Sequence, residues 1–161
     1  MKKLAIALLA LSATAGSFAA DKTGGFVGIK TGNMDIDSSI FDADAPLGIV
    51  FGYQGQSGAG VEVEYNRADV DFVINGRAYT ADFKTLALYG TYRSEGDAYF
   101  KGKLGILRED LENDFVSMDD SGLSGGIGLG FRLGEAASLE LEYTVIEEDV
   151  NYYSAGLNIH F

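Results

Sequence analysis

Apolar and polar residues alternate with a period of two over short stretches through most of this chain, and little of it shows the 3.6-residue period of a helix. "GFVGIKTG" (25–32) sets Val27 and Ile29 against Gly28 and Lys30. "LGIVFGYQ" (47–54) sets Leu47, Ile49, Phe51 and Tyr53 against Gly48, Val50, Gly52 and Gln54. "GVEVEY" (60–65) and "SLELEYTV" (138–145) place a glutamate at every second position of an aliphatic run. "AYFKGKLGI" (98–106), "LSGGIGLGFRL" (123–133) and "YYSAGLNIHF" (152–161) repeat the alternation. The contrast is weakest in "KTLALYGTY" (84–92), where Leu86, Leu88 and Tyr92 are assigned to the apolar face and Ala87 and Tyr89 to the other. Successive side chains of a strand point to opposite sides, so each stretch reads as a strand with two unlike faces. Eight strands are expected.

The connections also alternate in kind. Short turns fall at "GQSG" (55–58), "SEGD" (94–97) and "GEAA" (134–137). Between them lie longer polar segments at 33–45, 68–77, 108–121 and 146–151. Tight turns at one end and long loops at the other describe an all-β, closed, up-and-down, eight-stranded antiparallel barrel with both termini on the short-turn side.

Two such barrels exist: a soluble calyx with an apolar interior, and its inverse, apolar toward lipid and polar within. The polar faces here favour the inverse. They are rich in glycine (Gly48, Gly52, Gly126, Gly128, Gly130, Gly156), which suits a narrow interior that also holds long side chains. Their charges are few and of opposing sign. Glu62, Glu64, Glu140 and Glu142 lie on the third and seventh strands, and Lys101, Lys103 and Arg132 on the fifth and sixth. An eight-stranded bore lets side chains from opposite walls meet, so these seven residues are expected to form an interior structural ion cluster. Lys30 is available to relieve the surplus of glutamate.

The start of the chain sets the compartment. "MKKLAIALLALSATAGSFA" has two lysines, a short apolar run and small residues at Ser17 and Ala19, the pattern of a cleavable secretory signal. Residues 1–19 are expected to be the signal peptide and 20–161 the mature barrel domain. With Lys2 and Lys3 removed, 10 basic residues stand against 24 acidic ones, a net charge of −14 that argues against nucleic-acid binding. There is no cysteine, hence no disulfide framework or thiolate chemistry.

The final strand, with Tyr153, Ala155, Leu157, Ile159 and Phe161 on one face, ends in an aromatic residue. A signal peptide, an alternating terminal strand and a C-terminal Phe together resemble the small eight-stranded outer-membrane β-barrels, the porin-like group of the OmpA membrane domain and the OmpX and opacity types. The resemblance covers the whole mature chain. It implies residence in the outer membrane of a Gram-negative cell, contact with lipid and lipopolysaccharide, and recognition of Phe161 by the barrel assembly machinery. The chain departs from the group in having no Trp. Phe51, Tyr53, Phe100, Phe131 and Phe161 would supply the periplasmic aromatic girdle, and Tyr65, Tyr143 and Tyr153 the outer one.

Candidate chemistry is sparse. The single histidine, His160, falls at the periplasmic edge, away from the outer-leaflet position where some barrels of this class act on lipid A. No catalytic residue, no cofactor and no dedicated metal site is expected. The long segments are acidic: Asp35, Asp37, Asp42 and Asp44; Glu109, Asp110, Glu112, Asp114, Asp119 and Asp120; Glu147, Glu148 and Asp149. Hard oxygen ligands suit Ca²⁺ or Mg²⁺, which would bridge these loops to lipopolysaccharide phosphates, although no spacing matches an EF-hand. Loops on a rigid scaffold also suit a host or cell-surface ligand. The expected function is therefore structural or interactive and non-enzymatic. The alternatives are a narrow ion or small-solute channel and a soluble lipocalin-like carrier.

Overall fold

The computed structural model describes residues 23–36, 41–43, 45–74, 77–112, 117–147 and 150–161. The signal segment expected at 1–19 lies outside them. Nine strands follow in order: β1 (Gly24–Ile36), β2 (Phe41–Ala43), β3 (Leu47–Gln54), β4 (Ala59–Ile74), β5 (Arg77–Arg93), β6 (Ala98–Glu112), β7 (Ser117–Arg132), β8 (Ala137–Glu147) and β9 (Val150–His160). Eight of them form one antiparallel sheet that closes through β1 and β9, and the three-residue β2 pairs with the outer part of β4.

The registers fix the shape. Crossing the sheet at right angles from Asp35 leads through Asn151, Val145, Gly125, Leu104, Gly90, Val61 and Tyr53 back to β1 at Gly25, ten residues lower (35 to 25). Eight strands with this shear tilt by roughly 40° from the axis, given a rise of about 3.3 Å per residue and about 4.8 Å between strands. Such a barrel has a bore that side chains alone can fill.

The burial pattern follows the alternation of the sequence. Val61, Val63 and Tyr65 point outward while Glu62 and Glu64 are each 1% exposed. Leu139 and Leu141 point outward while Glu140 is 2% exposed. In β5, Leu86, Leu88 and Tyr92 face out, and Ala87 and Tyr89 face in. A soluble carrier requires the opposite arrangement. The outward apolar residues cover roughly 25 Å of height at this tilt, the span of a bilayer's hydrocarbon zone. Phe51, Tyr53, Phe100, Phe131 and Phe161 lie outward toward the short-turn end, and Tyr65 and Tyr153 outward toward the other. Tyr143 and Tyr153 stack in a tilted pair with ring centroids 5.0 Å apart.

Each short turn contains a glycine with positive φ: Gly58 at 81°, Gly96 at 112° and Gly134 at 87°. Residues with a Cβ rarely adopt this conformation. The rim is then stitched from turn to strand. Arg93 N–H donates to Gly58 O, Arg132 N–H to Asp97 O, His160 N–H to Ala136 O and Phe161 N–H to Gly25 O, at 2.8–2.9 Å.

The opposite end differs from the expectation of long irregular loops. The segment 68–77 is a continuation of β4 and β5, paired as far as Ile74 and Arg77. Segment 108–121 extends β6 to Glu112 and begins β7 at Ser117, and the described part of 146–151 extends β8 to Glu147 and begins β9 at Val150. Segment 33–45 contains the end of β1 and the whole of β2. The ladder continues because its hydrogen bonds do not depend on lipid.

The lipid-facing assignment predicts a depth-dependent cost for charge. Leu104→Arg, at a position 69% exposed near the middle of the band, should destabilise the barrel by about 2–4 kcal/mol. Ser121→Arg, outward but beyond the band, should cost under about 1 kcal/mol. Urea unfolding in phospholipid vesicles measures both, and equal costs would contradict the placement of the band.

Candidate functional site

Closing the sheet turns its polar faces into a lumen in which every large side chain must be matched by a small one opposite. A Cβ on Gly52 would lie 2.2 Å from the Phe26 ring, and one on Gly130 would lie 2.1 Å from the Tyr99 ring. The glycine-rich polar face is thus space for aromatic and charged side chains from neighbouring strands.

Four carboxylates and four cations fill the middle of this space. Lys101 Nζ donates to Glu62 at 2.8 Å, Glu140 at 2.9 Å and Glu142 at 2.6 Å, which uses all three of its hydrogens. Lys103 Nζ donates to Glu64 and Glu142, both at 2.7 Å, and stands 4.5 Å from the centre of the Tyr89 ring. Lys30 Nζ donates to Glu64 at 2.6 Å and lies 3.6 Å from Glu142. Arg93 donates from Nε to Glu140 at 2.7 Å and from Nη2 to Glu62, with its guanidinium 4.8 Å from the Phe26 ring centre. Tyr99 OH donates a further bond to Glu140 at 2.6 Å. The groups form one continuous chain, Arg93 to Glu62 and Glu140, to Lys101, to Glu142, to Lys103, to Glu64, to Lys30. Their charges sum to zero.

Six of the seven residues singled out in the sequence meet here: Glu62, Glu64, Lys101, Lys103, Glu140 and Glu142. Arg132 does not. It faces inward as its parity requires, but it pairs with Ser138, one inward position below Glu140, and so lies beneath the cluster at the rim. There its Nε donates to Gly96 O at 3.2 Å and its guanidinium stacks 5.2 Å from the Tyr99 ring centre. Arg93 occupies the cluster instead. The signal for it was the parity of β5: with Leu86, Leu88 and Tyr92 outward, Arg93 falls inward beside Thr91 and Tyr89. Lys30 completes the balance.

The cluster is closed above and below. On the outer side sit Ala87, Tyr89, Leu107, Ile146 and Tyr152, a buried apolar group inside the lumen. The sequence reading missed it because Ile146 belonged to a presumed loop. On the periplasmic side sit Phe26, Tyr99, Gln54, Asn158 and Ser138, all buried. Ser138 Oγ and His160 Nε2 share a hydrogen bond at 2.9 Å. Ser138 has no exposed surface, and the His160 ring lies 5.3 Å from that of Phe26.

Carboxylate oxygens of Glu62, Glu64 and Glu142 approach within 4.8 Å of one another, a spacing that would admit a metal ion. Each is already bonded to an ammonium or guanidinium, and a cation placed among them would meet Lys101 and Lys103. The group is its own counter-ion.

The fold and lumen now stand beside known proteins. The family described as the outer membrane protein β-barrel domain matches residues 4–161. The chain belongs to this family. Among solved structures it is similar to neisserial surface protein A (TM-score 0.59, 13% identity, 86% of this chain and 97% of that one). It is also similar to Ail, the attachment invasion locus protein of Yersinia pestis, solved with the heparin analogue sucrose octasulfate (TM-score 0.53, 17% identity, 86% and 97%). A third is the outer membrane protein OprG of Pseudomonas aeruginosa (TM-score 0.52, 18% identity, 86% and 97%). At these identities the likeness is one of fold. A search of curated proteins finds no relative. This family member is an outer-membrane protein whose apolar band faces lipid.

The geometry predicts unequal costs for a cation inside the cluster and one at the rim. Lys101→Met leaves three buried carboxylates short of a partner and should cost about 3–5 kcal/mol. Arg132→Met, at the half-buried rim, should cost under about 1 kcal/mol. Adding Glu142→Gln to Lys101→Met should recover part of the loss. Equilibrium unfolding in lipid or detergent reads all three, and equal costs for Lys101 and Arg132 would contradict the central role of Lys101.

Proposed function

We propose that this chain is a non-enzymatic envelope protein that acts through its extracellular surface, with the barrel as a rigid anchor. The observation that carries this reading is the sealed lumen. A charge-neutral, buried ion cluster lies between an apolar group on one side and an aromatic and amide layer on the other. Among the described residues these layers fill the lumen at the levels a solute would have to cross. In the one Ser–His contact the hydroxyl of Ser138 has no exposed surface for a substrate to reach, which argues against hydrolysis at that point.

The outer surface is where function remains available. Acidic positions of the described strand extensions lie there, among them Asp69, Asp82, Asp110 and Asp120. We assign them a role in contact with lipopolysaccharide, shared through divalent cations, or with a host or cell-surface ligand. A polyanion of the kind seen with Ail is disfavoured as a ligand by this excess of carboxylate. Residues 1–19 fit a signal peptide removed on export, and Phe161, 65% exposed at the end of β9, fits recognition by the assembly machinery.

Two measurements test the reading. The refolded barrel in planar bilayers should give no discrete conductance steps, and steady openings would favour the channel alternative. Cells carrying the intact barrel should adhere to host-cell surfaces or tolerate bile salts better than cells lacking it. Replacing Asp110, Glu112, Asp119 and Asp120 by their amides should remove that gain without removing the heat-modifiable barrel. Cells that behave alike with and without the protein would overturn the proposal.

A further inference from the structure

Seven of the ten basic residues beyond the signal segment, those at 30, 67, 84, 93, 101, 103 and 108, are partitioned sharply by facing. Lys30, Arg93, Lys101 and Lys103 point into the lumen, where glutamates neutralise them. Arg132 lies at the periplasmic rim. Among residues whose side chains are described, only Arg67, Lys84 and Arg108 present positive charge on the outer surface. All three are on adjacent strands, β4, β5 and β6. Arg67 lies directly across from Lys84, and Arg108 lies across from Leu86, one inward-outward repeat from Lys84. The strand tilt brings the three to within roughly 3 Å of one height.

That height is the upper margin of the apolar band. On each strand the next outward residue toward the membrane is apolar and exposed: Tyr65 at 42%, Leu86 at 51% and Ile106 at 61%. The next outward residue away from it is acidic: Asp69, Asp82 and Asp110. Arg67 Nη2 donates to Asp82 at 2.7 Å, and Arg108 lies 3.7 Å from Asp110, so both acids hold their cations from the aqueous side. The side chains of Arg67 and Arg108 nevertheless remain 56% and 60% exposed. The opposite wall near this level, on β8, β9 and β1, carries Val145, Asn151 and Asn33 and no cation. Like charges directly across a ladder repel, and a chain with a strong acidic excess has no general need for a basic patch. An anion placed just below the three cations offsets that repulsion.

We propose that Arg67, Lys84 and Arg108 form a one-sided clamp for the phosphates of a phosphorylated glycolipid in the outer leaflet, whose acyl chains lie over Tyr65, Leu86 and Ile106. The clamp gives residues to the lipopolysaccharide contact proposed above and rests on that reading. Charge over hydrocarbon, repeated on three strands, fits a lipid headgroup better than free phosphate, which would use only the upper half of the surface. The phosphates meet the guanidinium groups as charge-assisted hydrogen bonds, for which arginine's planar donor fork is suited.

The test uses the refolded mature chain in detergent, with bound lipid counted by native mass spectrometry. The probes are bisphosphorylated lipid A, the same lipid A after phosphatase treatment, phosphatidylglycerol and inorganic phosphate. Bisphosphorylated lipid A should be retained and the other three should not compete with it. Arg67→Gln, Lys84→Gln and Arg108→Gln combined should weaken retention on the order of a hundredfold. Asn33→Ala on the opposite wall should leave it unchanged, and heat-modifiable migration should verify that all variants fold. If the triple variant retains lipid A as the wild type does, the clamp is overturned while the lipid partner stands. If the wild type retains none, both fall. Equal retention of the dephosphorylated lipid A or of phosphatidylglycerol, or displacement by inorganic phosphate, overturns the glycolipid assignment.

Discussion

A sheet in hydrocarbon cannot leave an edge, because an unpaired backbone N–H or C=O there costs several kcal/mol and no water is present to replace the missing bond. The rest of this structure is a consequence of that constraint met with eight strands. Closure at this strand number and shear fixes the tilt and makes the bore narrow. A narrow bore cannot hold large side chains at every inward position, so inward glycines face inward aromatics, as Gly52 faces Phe26 and Gly130 faces Tyr99. The stitched rim, from Gly58 through Asp97 and Ala136 to Phe161, completes the closure at the end where the turns are shortest.

The lumen then poses its own electrostatic problem. Ions buried together gain little net stability over a well-packed apolar filling, because desolvation offsets their attraction. Their value here is discrimination. Lys101 with three acceptors and Glu142 with three cations around it can be satisfied only in one alignment of β4, β6 and β8. A one-residue slip of any of these strands would turn its charges into lipid. Register and facing are therefore enforced from both sides of the sheet, by the apolar band outside and by the charge chain inside.

Facing was legible in the sequence because a membrane barrel maximises the contrast between alternate residues. "VEVEY" and "LELEY" admit one orientation in lipid, and even the weak β5 segment could be oriented from Leu86 and Leu88. Depth was less legible. Parity places Arg132 inward but does not say that it sits one position below Glu140, and it took the registers of β7 and β8 to exclude it from the cluster. Arg93 had the right parity but stood beside a turn, where charge ordinarily means solvent. Strand length was least legible. Beyond the band the sequence mixes acidic and apolar residues without a clean alternation, as in Asp69, Val70, Asp71, Phe72, Val73 and Ile74, and segments such as 68–77 read as loops. Ile146 was hidden by the same mixing, and with it the apolar group that caps the lumen.

The charge distribution of the whole chain follows from these layers. Cations buried in the lumen are matched there one for one by glutamates, so the acidic excess of the sequence belongs to the surfaces. It cannot sit on the lipid-facing band, where each charge would be costly, and the periplasmic turns are short. The excess is thereby displaced to the outer end, beside a leaflet that is itself anionic. Two like-charged surfaces in contact need positive charge between them, as mobile divalent ions or as fixed side chains at their boundary. Arg67, Lys84 and Arg108 are fixed side chains at that boundary, held from above by aspartates and flanked below by apolar residues. The described interior is charge-neutral, and the exterior is layered, with charge at the upper margin of the band and apolar residues below it.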